Sequence, residues 1–211
     1  IKIRDEALAP FPRTKEVVRV HRSEYFAIIT HMDHEIGRIL RALKKSGREK
    51  DTYVVFTADH GLAVGQHGLM GKQNMYEHTI RVPLILSGPR IPNDKRSNAL
   101  CYLRDLYPTI CDLVGVPTPK SVEARSLLPV ILGKKEAGYE DVYGYFRDKQ
   151  RMIRNKRFKL IHYPHLNRYQ LFDLSEDPQE LNDLSKNSAL KGILAGLRVK
   201  LEKWFRDRQE R

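Results

Sequence analysis

A short run of strand-forming residues that ends in an Asp-His-Gly triplet constrains the fold of this chain more than any other feature. Residues Thr52–Thr57 (TYVVFT) are all β-branched or aromatic, and Asp59, His60 and Gly61 follow after a single alanine. Such a run, without polar alternation, is typical of a strand buried on both faces of a parallel sheet. Because ligands of open α/β sheets bind at the carboxyl ends of the strands, Asp59 and His60 stand where a binding site is expected.

The loop after the triplet is long and rich in glycine. It has glycines at positions 61, 65, 68 and 71, and it carries His67 and Lys72. A second strand is predicted at Val82–Ser87, where Gly88 and Pro89 end it. A connection of about twenty residues is longer than this architecture requires, and such loops are usually functional.

The residue types at the strand end suit a divalent metal ion. A carboxylate such as Asp59 supplies a hard oxygen ligand and a neutral imidazole such as His60 supplies nitrogen, so the pair can hold part of a metal site. The alternative is that Asp59 caps the following turn while His60 forms hydrogen bonds within the sheet. Two neighbouring residues cannot complete a metal site, so the other ligands must come from elsewhere.

Lys72 and His67 are the further candidates in the loop. A lysine is a compact point charge that suits a tetrahedral oxyanion, and the alternative is an ordinary solvated lysine. His67 is a candidate for metal or substrate binding, for acid chemistry, or for packing within the loop, which is the favoured interpretation.

Helical periodicity is found on both sides of these strands. Residues 1–21 are predicted to form an extended connector, and helices are predicted at Ser23–Lys45 and Asp105–Val114. A helix, a turn and a buried strand in this order form the second half of a βαβ unit. The predicted fold class is therefore α/β, with part of a mostly parallel sheet flanked by helices.

The pattern changes near residue 136. Apolar and polar residues alternate in the segments Val142–Phe146, Arg151–Arg154, Phe158–Tyr163 and Tyr169–Leu174, and an amphipathic helix is predicted at Ala189–Arg208. These elements predict a small α+β subdomain with an antiparallel sheet and a terminal helix. The expected division is an α/β portion at residues 1–135 and a C-terminal subdomain at residues 136–211.

The net charge of +12 favours acidic partners, and the excess of basic residues is shared by both portions of the chain. Residues 147–159 hold seven basic residues and one acid. Binding of nucleic acid or of an anionic polymer is one interpretation of this stretch, and a solvent-facing two-stranded ribbon is the favoured one. No apolar run approaches the roughly 18–20 residues that span a membrane. A nucleophile elbow, a phosphate-binding glycine loop and a dinucleotide fingerprint are all lacking.

Several segments together resemble the C-terminal half of a formylglycine-dependent sulfatase, in the alkaline-phosphatase superfamily. The similar segments, in family order and spacing, are VVFTADHG, GQHGLMGK, MYEHTIRVPLILSGP, DLYPTICDLVGVPTP and YQLFDLSEDPQELNDLS. The resemblance covers nearly the whole chain. It implies that Asp59 and His60 are two ligands of an active-site calcium ion, and that Lys72 contacts the sulfate group and its bridging oxygen. His67 is a second candidate for substrate binding.

The chain departs from the family pattern where the nucleophile is concerned. The family converts a Cys or Ser in a C/S-x-P-S/A-R context to formylglycine, and neither Cys101 nor Cys111 stands in that context. The first residue is Ile rather than Met, so the chain is expected to be a piece of a longer protein. The nucleophile and the remaining metal ligands are then expected in a missing N-terminal half.

The expected function is that of the C-terminal part of a metal-dependent sulfuric ester hydrolase. The resemblance implies a sulfated small molecule or glycan as substrate, the N-terminal half of the same protein as partner, and neither a nucleic acid nor a membrane span. It also implies a periplasmic, extracellular or lysosomal-like location. Two alternatives stay open: a phosphodiesterase or phosphonate monoester hydrolase of the same superfamily, and a non-catalytic cationic module that binds anionic polymers.

Overall fold

The computed structural model describes residues 7–135 and 138–209. These residues form two compact units. The first comprises the chain up to Gln73 together with His78–Asn93, and the second comprises Asn74–Glu77 together with the chain from Asp94 onward. Within the described residues, no helix is long and apolar enough to cross a membrane.

The first unit contains a helix that begins earlier than the sequence predicts. Helix α1 spans Lys15–Lys45, and the Thr14 side chain caps it by accepting the Val17 backbone N–H at 3.4 Å. The predicted connector is therefore wrong over residues 15–21, and Ser23 lies inside the helix. Thr14 is a favoured N-cap residue and Glu16 places negative charge in the first turn, so the helix nucleates directly after the prolines of the connector.

The apolar side of α1 is exposed. None of its residues, all of which are described, is buried. The large apolar residues that it exposes are Val20, Phe26, Ile28, Ile29, Met32, Ile39 and Leu40. An apolar stripe of this width normally faces a core, so α1 presents a surface that a further element of the protein can cover.

Strands β1 (Val54–Thr57) and β2 (Leu84–Ser87) pair antiparallel, with Val54 opposite Ser87 and Thr57 opposite Leu84. This corrects the expectation of a parallel, doubly buried strand, and the residues of β1 are half-buried. The connection between the two strands contains short turns and the one-turn helix α2 (Glu77–Ile80), and not the long crossover helix that usually joins parallel neighbours.

The second unit begins with two helices arranged around a buried carboxylate. Helix α3 spans Leu106–Val114, within one residue of the prediction, and ends at Gly115 in the left-handed conformation, and helix α4 spans Leu128–Ile131. The Asp105 carboxylate is fully buried. It accepts the Tyr102 N–H at 2.7 Å, the Arg125 N–H at 3.1 Å and the Tyr139 hydroxyl at 2.9 Å. These bonds compensate the loss of its hydration.

The predicted C-terminal antiparallel sheet is confirmed. Its four strands, in spatial order, are β3 (Val142–Phe146), β4 (Gln150–Arg154), β5 (Phe158–Tyr163) and β6 (Arg168–Asp173). The turn between β4 and β5 is set by Asn155, whose side-chain oxygen accepts the backbone N–H groups of Arg157 at 2.9 Å and Phe158 at 2.7 Å. Such an Asx-type arrangement fixes the register of the hairpin.

One face of this sheet packs on the predicted terminal helix, α5 (Lys191–Gln209). Ile153, Leu160 and Leu171 are cross-strand neighbours in the register, and all three are fully buried. The core cluster consists of Ile153, Phe158, Leu160, Leu171, Leu197 and Leu201. Because side chains alternate across a strand, the intervening residues point to the opposite face.

The predicted boundary between residues 135 and 136 stays a prediction, because residues 136 and 137 lie outside the described part of the chain. In the described residues, the grouping into compact units changes between Asn93 and Asp94. A bridge between Leu100 and Tyr139 joins segments on either side of the predicted boundary.

Candidate functional site

Asp59 and His60 follow β1 directly, as the sequence predicts. The Asp59 carboxylate folds back on its neighbour, accepting the His60 backbone N–H at 3.0 Å, and its other oxygen lies 3.3 Å from His60 Nε2. The Asp59 side chain is 78% exposed and the His60 side chain 30%. An oxygen donor and a nitrogen donor therefore converge on one point at the end of the strand.

Lys72 is the third group at this point. Its Nζ lies 2.5 Å from His60 Nε2. The other ring nitrogen of His60 lies 3.0 Å from the Gly61 carbonyl oxygen. A carbonyl oxygen can only accept, so Nδ1 carries the proton and Nε2 presents a lone pair, to which the Lys72 ammonium donates.

The loop returns Lys72 to the strand end through its own backbone. The Gly65 N–H donates to the Leu69 carbonyl at 2.7 Å and the Ala63 N–H to the Gly71 carbonyl at 3.2 Å, so the two limbs run side by side. Arginines near or on α1 hold the tip. Arg13 donates to the Gly68 carbonyl at 2.8 Å, and Arg22 to the Val64 carbonyl at 2.9 Å. These hydrogen bonds explain why a lysine far along the chain from Asp59 reaches the same place.

Two glycines of the loop are required by close approach. A Cβ at Gly65 would stand 2.3 Å from Val18 of α1, and Gly65 also has a positive φ of 95°. A Cβ at Gly61 would stand 2.0 Å from the His78 carbonyl oxygen, while the Gly61 N–H donates to the Thr79 carbonyl at 2.8 Å. The strand end therefore presses against the backbone of α2.

Substitution of Gly61 by alanine is expected to disturb the site rather than the fold as a whole. The added methyl group collides with a backbone atom, so the His60–Gly61 peptide has to move by about an ångström, and displacements of that size in a site cost up to about 100-fold in activity. Gly196→Ala on α5, where a Cβ meets nothing within 4 Å, is the matched control. Comparison of kcat/KM and of melting temperature for the two variants, in the complete protein, checks this. Equal activities would contradict it.

His67 sits at the tip of the loop, in a left-handed conformation with φ of 52°. Its ring lies next to that of His78, with the ring centroids 5.7 Å apart. Asp59, His60 and Lys72 are thus joined by direct contacts. The His67 ring packs against the ring of His78. The assignment of His67 to substrate binding stays a prediction.

The donor set fits part of a cation site. Among the described residues there is no group of three or more His, Cys, Asp or Glu side chains that could hold a metal ion. Asp59 and His60 nevertheless offer an oxygen and an unprotonated Nε2 on converging vectors. The Lys72 ammonium is the cation that occupies the Nε2 lone pair here. Among the described residues, Asp59 and His60 are thus the pair that would hold a metal ion, and Lys72 lies beside them.

Three of the seven basic residues in the stretch 147–159 pair with buried acidic residues of the same unit. Lys159 is fully buried between Glu77 and Glu180, Arg154 pairs with Glu77, and Arg157 pairs with Asp173. Hydrogen bonds from Arg157, opposed by burial, lower the pKa of Asp173 to about 2. The expectation of a ribbon whose alternate positions face solvent is therefore wrong for Lys159 and Arg154, whose side chains are 0% and 15% exposed, whereas the Arg157 side chain is 60% exposed.

Sequence reasoning missed the buried ion cluster of Glu77, Arg154, Lys159 and Glu180. The Lys159 Nζ lies 3.0 Å from the Glu77 carboxylate and 2.6 Å from that of Glu180, and the Arg154 Nε lies 3.0 Å from Glu77. Burial raises the pKa of both carboxyls. For Glu77, the cations Lys159 and Arg154 together outweigh the effect of burial, and its pKa is lowered. Glu180 has Lys159 as its one neighbouring cation, and its pKa stays raised. The available signal was the run FKLI in β5, which is buried on both faces.

Comparison with known proteins identifies the family. A model described as "Sulfatase" matches residues 6–116, and a model described as "N-sulphoglucosamine sulphohydrolase, C-terminal" matches residues 65–207. An N-acetylglucosamine-6-O-sulfatase of Bacteroides thetaiotaomicron is 33% identical over 76% of this chain and 31% of its own length.

Solved structures of related proteins also match this chain. One, a complex with its substrate D-glucosamine-2-N,6-O-disulfate, matches with a TM-score of 0.79 and 29% identity over 88% of this chain and 40% of that one. A phosphonate monoester hydrolase of Agrobacterium radiobacter matches with a TM-score of 0.80 and 26% identity over 91% of this chain and 42% of that one.

The chain thus spans less than half the length of each of these proteins. The matches confirm the predicted fold class, an α/β portion followed by a small subdomain with an antiparallel sheet and a terminal helix. Two family models cover the chain from residue 6 to residue 207, and the strand end, glycine loop and C-terminal sheet all lie within them. The chain is a C-terminal portion of a protein of the sulfatase family, in the alkaline-phosphatase superfamily.

Proposed function

We propose that the complete protein is a metal-dependent sulfatase and that this chain forms one wall of its active site. The observation that supports this most directly is the contact of Lys72 with His60 beside Asp59, at the carboxyl end of a strand in a chain of the sulfatase family. A potential metal-binding pair and a potential anion-binding lysine then lie within one hydrogen-bond network.

Asp59 and His60 would hold a divalent metal ion, which we assign as Ca²⁺, through a carboxylate oxygen and the unprotonated Nε2. The metal ion, when bound, supplies positive charge that polarises a sulfate oxygen. The Gly61 carbonyl keeps the His60 ring in the tautomer that this role needs. Outer-shell partners of this kind fix the ring orientation of ligating histidines.

Lys72 would act on the substrate directly. Its ammonium is placed to donate to a sulfate oxygen and to the ester oxygen that leaves, where negative charge grows as the S–O bond breaks. A lysine suits this task because it is a compact cation with three donors. His67 is proposed as a further substrate contact from the opposite end of the loop. The nucleophile, formylglycine in this family, would come from the part of the protein outside this chain.

The substrate class is proposed from the name of one related protein and the bound ligand of another. The curated relative is named an N-acetylglucosamine-6-O-sulfatase, and the solved relative holds a disulfated glucosamine. The net charge of +12 is consistent with a sulfated sugar or glycan, since a cationic surface attracts polyanions.

The N-terminal part of the same protein is the proposed partner of α1. Seven large apolar residues of that helix are exposed, and β1 is half-buried on both faces. A soluble protein rarely leaves so much contiguous apolar surface to water. An N-terminal portion that completes the sheet and covers α1 would bury this surface.

A phosphonate monoester hydrolase is the second candidate, because a protein of that activity matches the fold as well as a sulfatase does. The two activities need the same metal and lysine elements, so relative rates decide. We expect the complete protein to turn over 4-nitrophenyl sulfate faster than the corresponding phenylphosphonate monoester. The reverse order would favour the second candidate.

The 211-residue chain alone is expected to have no sulfatase activity, because it contains no nucleophile in the family's sequence context. The complete protein, assayed with the same aryl sulfate under the same conditions, is the positive control. Robust turnover by the purified chain would show that the site has been assigned incorrectly. A cationic module without catalysis predicts instead salt-sensitive binding of heparin that survives Asp59→Ala, with an inactive complete protein.

A further inference from the structure

Four residues that follow the Lys72 loop belong to the second unit and are buried within it. Asn74, Met75, Tyr76 and Glu77 are each at most 9% exposed. They group with the C-terminal sheet, whereas the chain up to Gln73 and from His78 onward groups with β1 and β2. A short segment of the loop connection is therefore inserted in the C-terminal unit.

This segment lies on the face of the sheet opposite to α5. Arg154, Lys159 and Phe172 are cross-strand neighbours in the register, one position out of phase with the core residues that meet the helix. Arg154 and Lys159 bind the Glu77 carboxylate. The ring of Phe172 meets the edge of Tyr76, with the ring centroids 6.0 Å apart.

The Glu77 backbone and the side chains of Tyr76 and Met75 also contact residues of the second unit. The Glu77 N–H donates to the Glu180 carboxylate at 2.6 Å. The Tyr76 hydroxyl donates to the Gln170 side-chain oxygen at 3.0 Å. The Met75 sulfur lies 3.3 Å from the point where a Cβ on Gly144 would stand. All four strands of the sheet thus contribute a contact to a segment of four residues.

We propose that the C-terminal sheet positions Lys72 by fixing the segment Asn74–Glu77. A single residue separates Lys72 from the segment, and consecutive Cα atoms are about 3.8 Å apart, so the Lys72 Cα stays within about 8 Å of that of Asn74. A shift of the anchored end is therefore transmitted to the lysine. Glu77, Tyr76 and Lys159 are positioning residues in this scheme, and the inference rests on the proposed role of Lys72.

The test uses the dependence of rate on the leaving group, measured with the complete protein. Lys72 is proposed to stabilise charge on the departing oxygen, so its misplacement matters most for poor leaving groups. The substrates are aryl sulfates whose phenols span a range of pKa values, together with glucosamine-6-sulfate. The variants are Glu77→Gln, Tyr76→Phe and Lys72→Met, and Arg157→Met is the matched control, since it removes an ion pair of the same unit without contacting the segment.

Glu77→Gln is expected to lower kcat/KM about tenfold for the best leaving group and up to about 100-fold for the poorest, the effect of a misplacement near 1 Å. Tyr76→Phe, which deletes one hydroxyl and preserves the ring, should show the same trend more weakly. Lys72→Met should give the steepest dependence. Arg157→Met should retain the wild-type dependence even if its melting temperature falls as far as that of Glu77→Gln.

A wild-type leaving-group dependence in Glu77→Gln and Tyr76→Phe, together with a steep one in Lys72→Met, overturns the positioning role and leaves the proposed function standing. If Glu77→Gln shows no cooperative unfolding transition, Tyr76→Phe alone decides. A Lys72→Met variant with the wild-type dependence, or an inactive wild-type protein, overturns the proposed function and this inference with it.

Discussion

Replacement of Lys159 by methionine is expected to lower the free energy of unfolding by about 3–5 kcal/mol, the usual cost of breaking a buried ion pair by removing one partner. Lys159 is fully buried, and the side chains of Glu180 and Glu77 are 1% and 11% exposed. Methionine fills nearly the same space but leaves two carboxylates facing Arg154 alone. The uncompensated charge, rather than a cavity, is therefore the cause of the loss.

Urea denaturation of the complete protein measures this effect. Arg157→Met is the control, because the Arg157 side chain is 60% exposed and the loss of such a pair costs about 1 kcal/mol or less. The double variant Lys159→Met with Glu180→Gln removes one of the stranded charges and should recover part of the loss. A Lys159→Met protein as stable as Arg157→Met would mean that water enters the cluster.

Substitution of Asp59 or of Lys72 by alanine in the complete protein is expected to lower kcat/KM for a sulfate ester about 100- to 1,000-fold, the usual effect of removing one preorganised electrostatic contact. The two variants should differ in their metal content. Asp59→Ala removes a proposed ligand and should release the metal ion on dialysis, whereas Lys72→Ala removes a cation beside the site and should retain it.

Kinetics and elemental analysis of the same preparations check these expectations. Asp51→Ala and Lys50→Ala, at exposed positions just before β1, are the matched controls for charge and residue type. Full metal retention in Asp59→Ala would mean that Asp59 is not a metal ligand. Its role would then be to cap the turn, through the hydrogen bond that its carboxylate accepts from the His60 N–H. Wild-type activity in Lys72→Ala would remove the lysine from the proposed mechanism.

Sequence patterns predicted the secondary structure correctly where it depends on neighbouring residues in the chain. The C-terminal strands and terminal helix have an alternation and a helical period that their own core satisfies, and the observed bounds agree with the predicted ones to within one or two residues. The observed start of α1 lies before the predicted one because Thr14, a favoured N-cap residue, caps the helix, and Ser23 lies inside it.

The candidate site was predicted in its parts and not in its arrangement. Asp59, His60 and Lys72 were named from residue type and position, but the loop bonds that bring Lys72 to His60 depend on backbone conformations that sequence does not specify. His67 was named on the same grounds; its ring lies beside that of His78, and its assignment to substrate binding stays a prediction.

The sequence by itself determined the family, the secondary structure of the C-terminal unit and the identity of the candidate residues, because each of these is encoded in short motifs and periodic patterns. Only the tertiary structure decided that β1 and β2 are antiparallel, and that Glu77 meets Lys159 and Glu180. Strand direction depends on the path of the connection, and a buried ion cluster joins residues 82 and 103 positions apart. Contacts over such distances are set by packing of the whole chain, which no local pattern records.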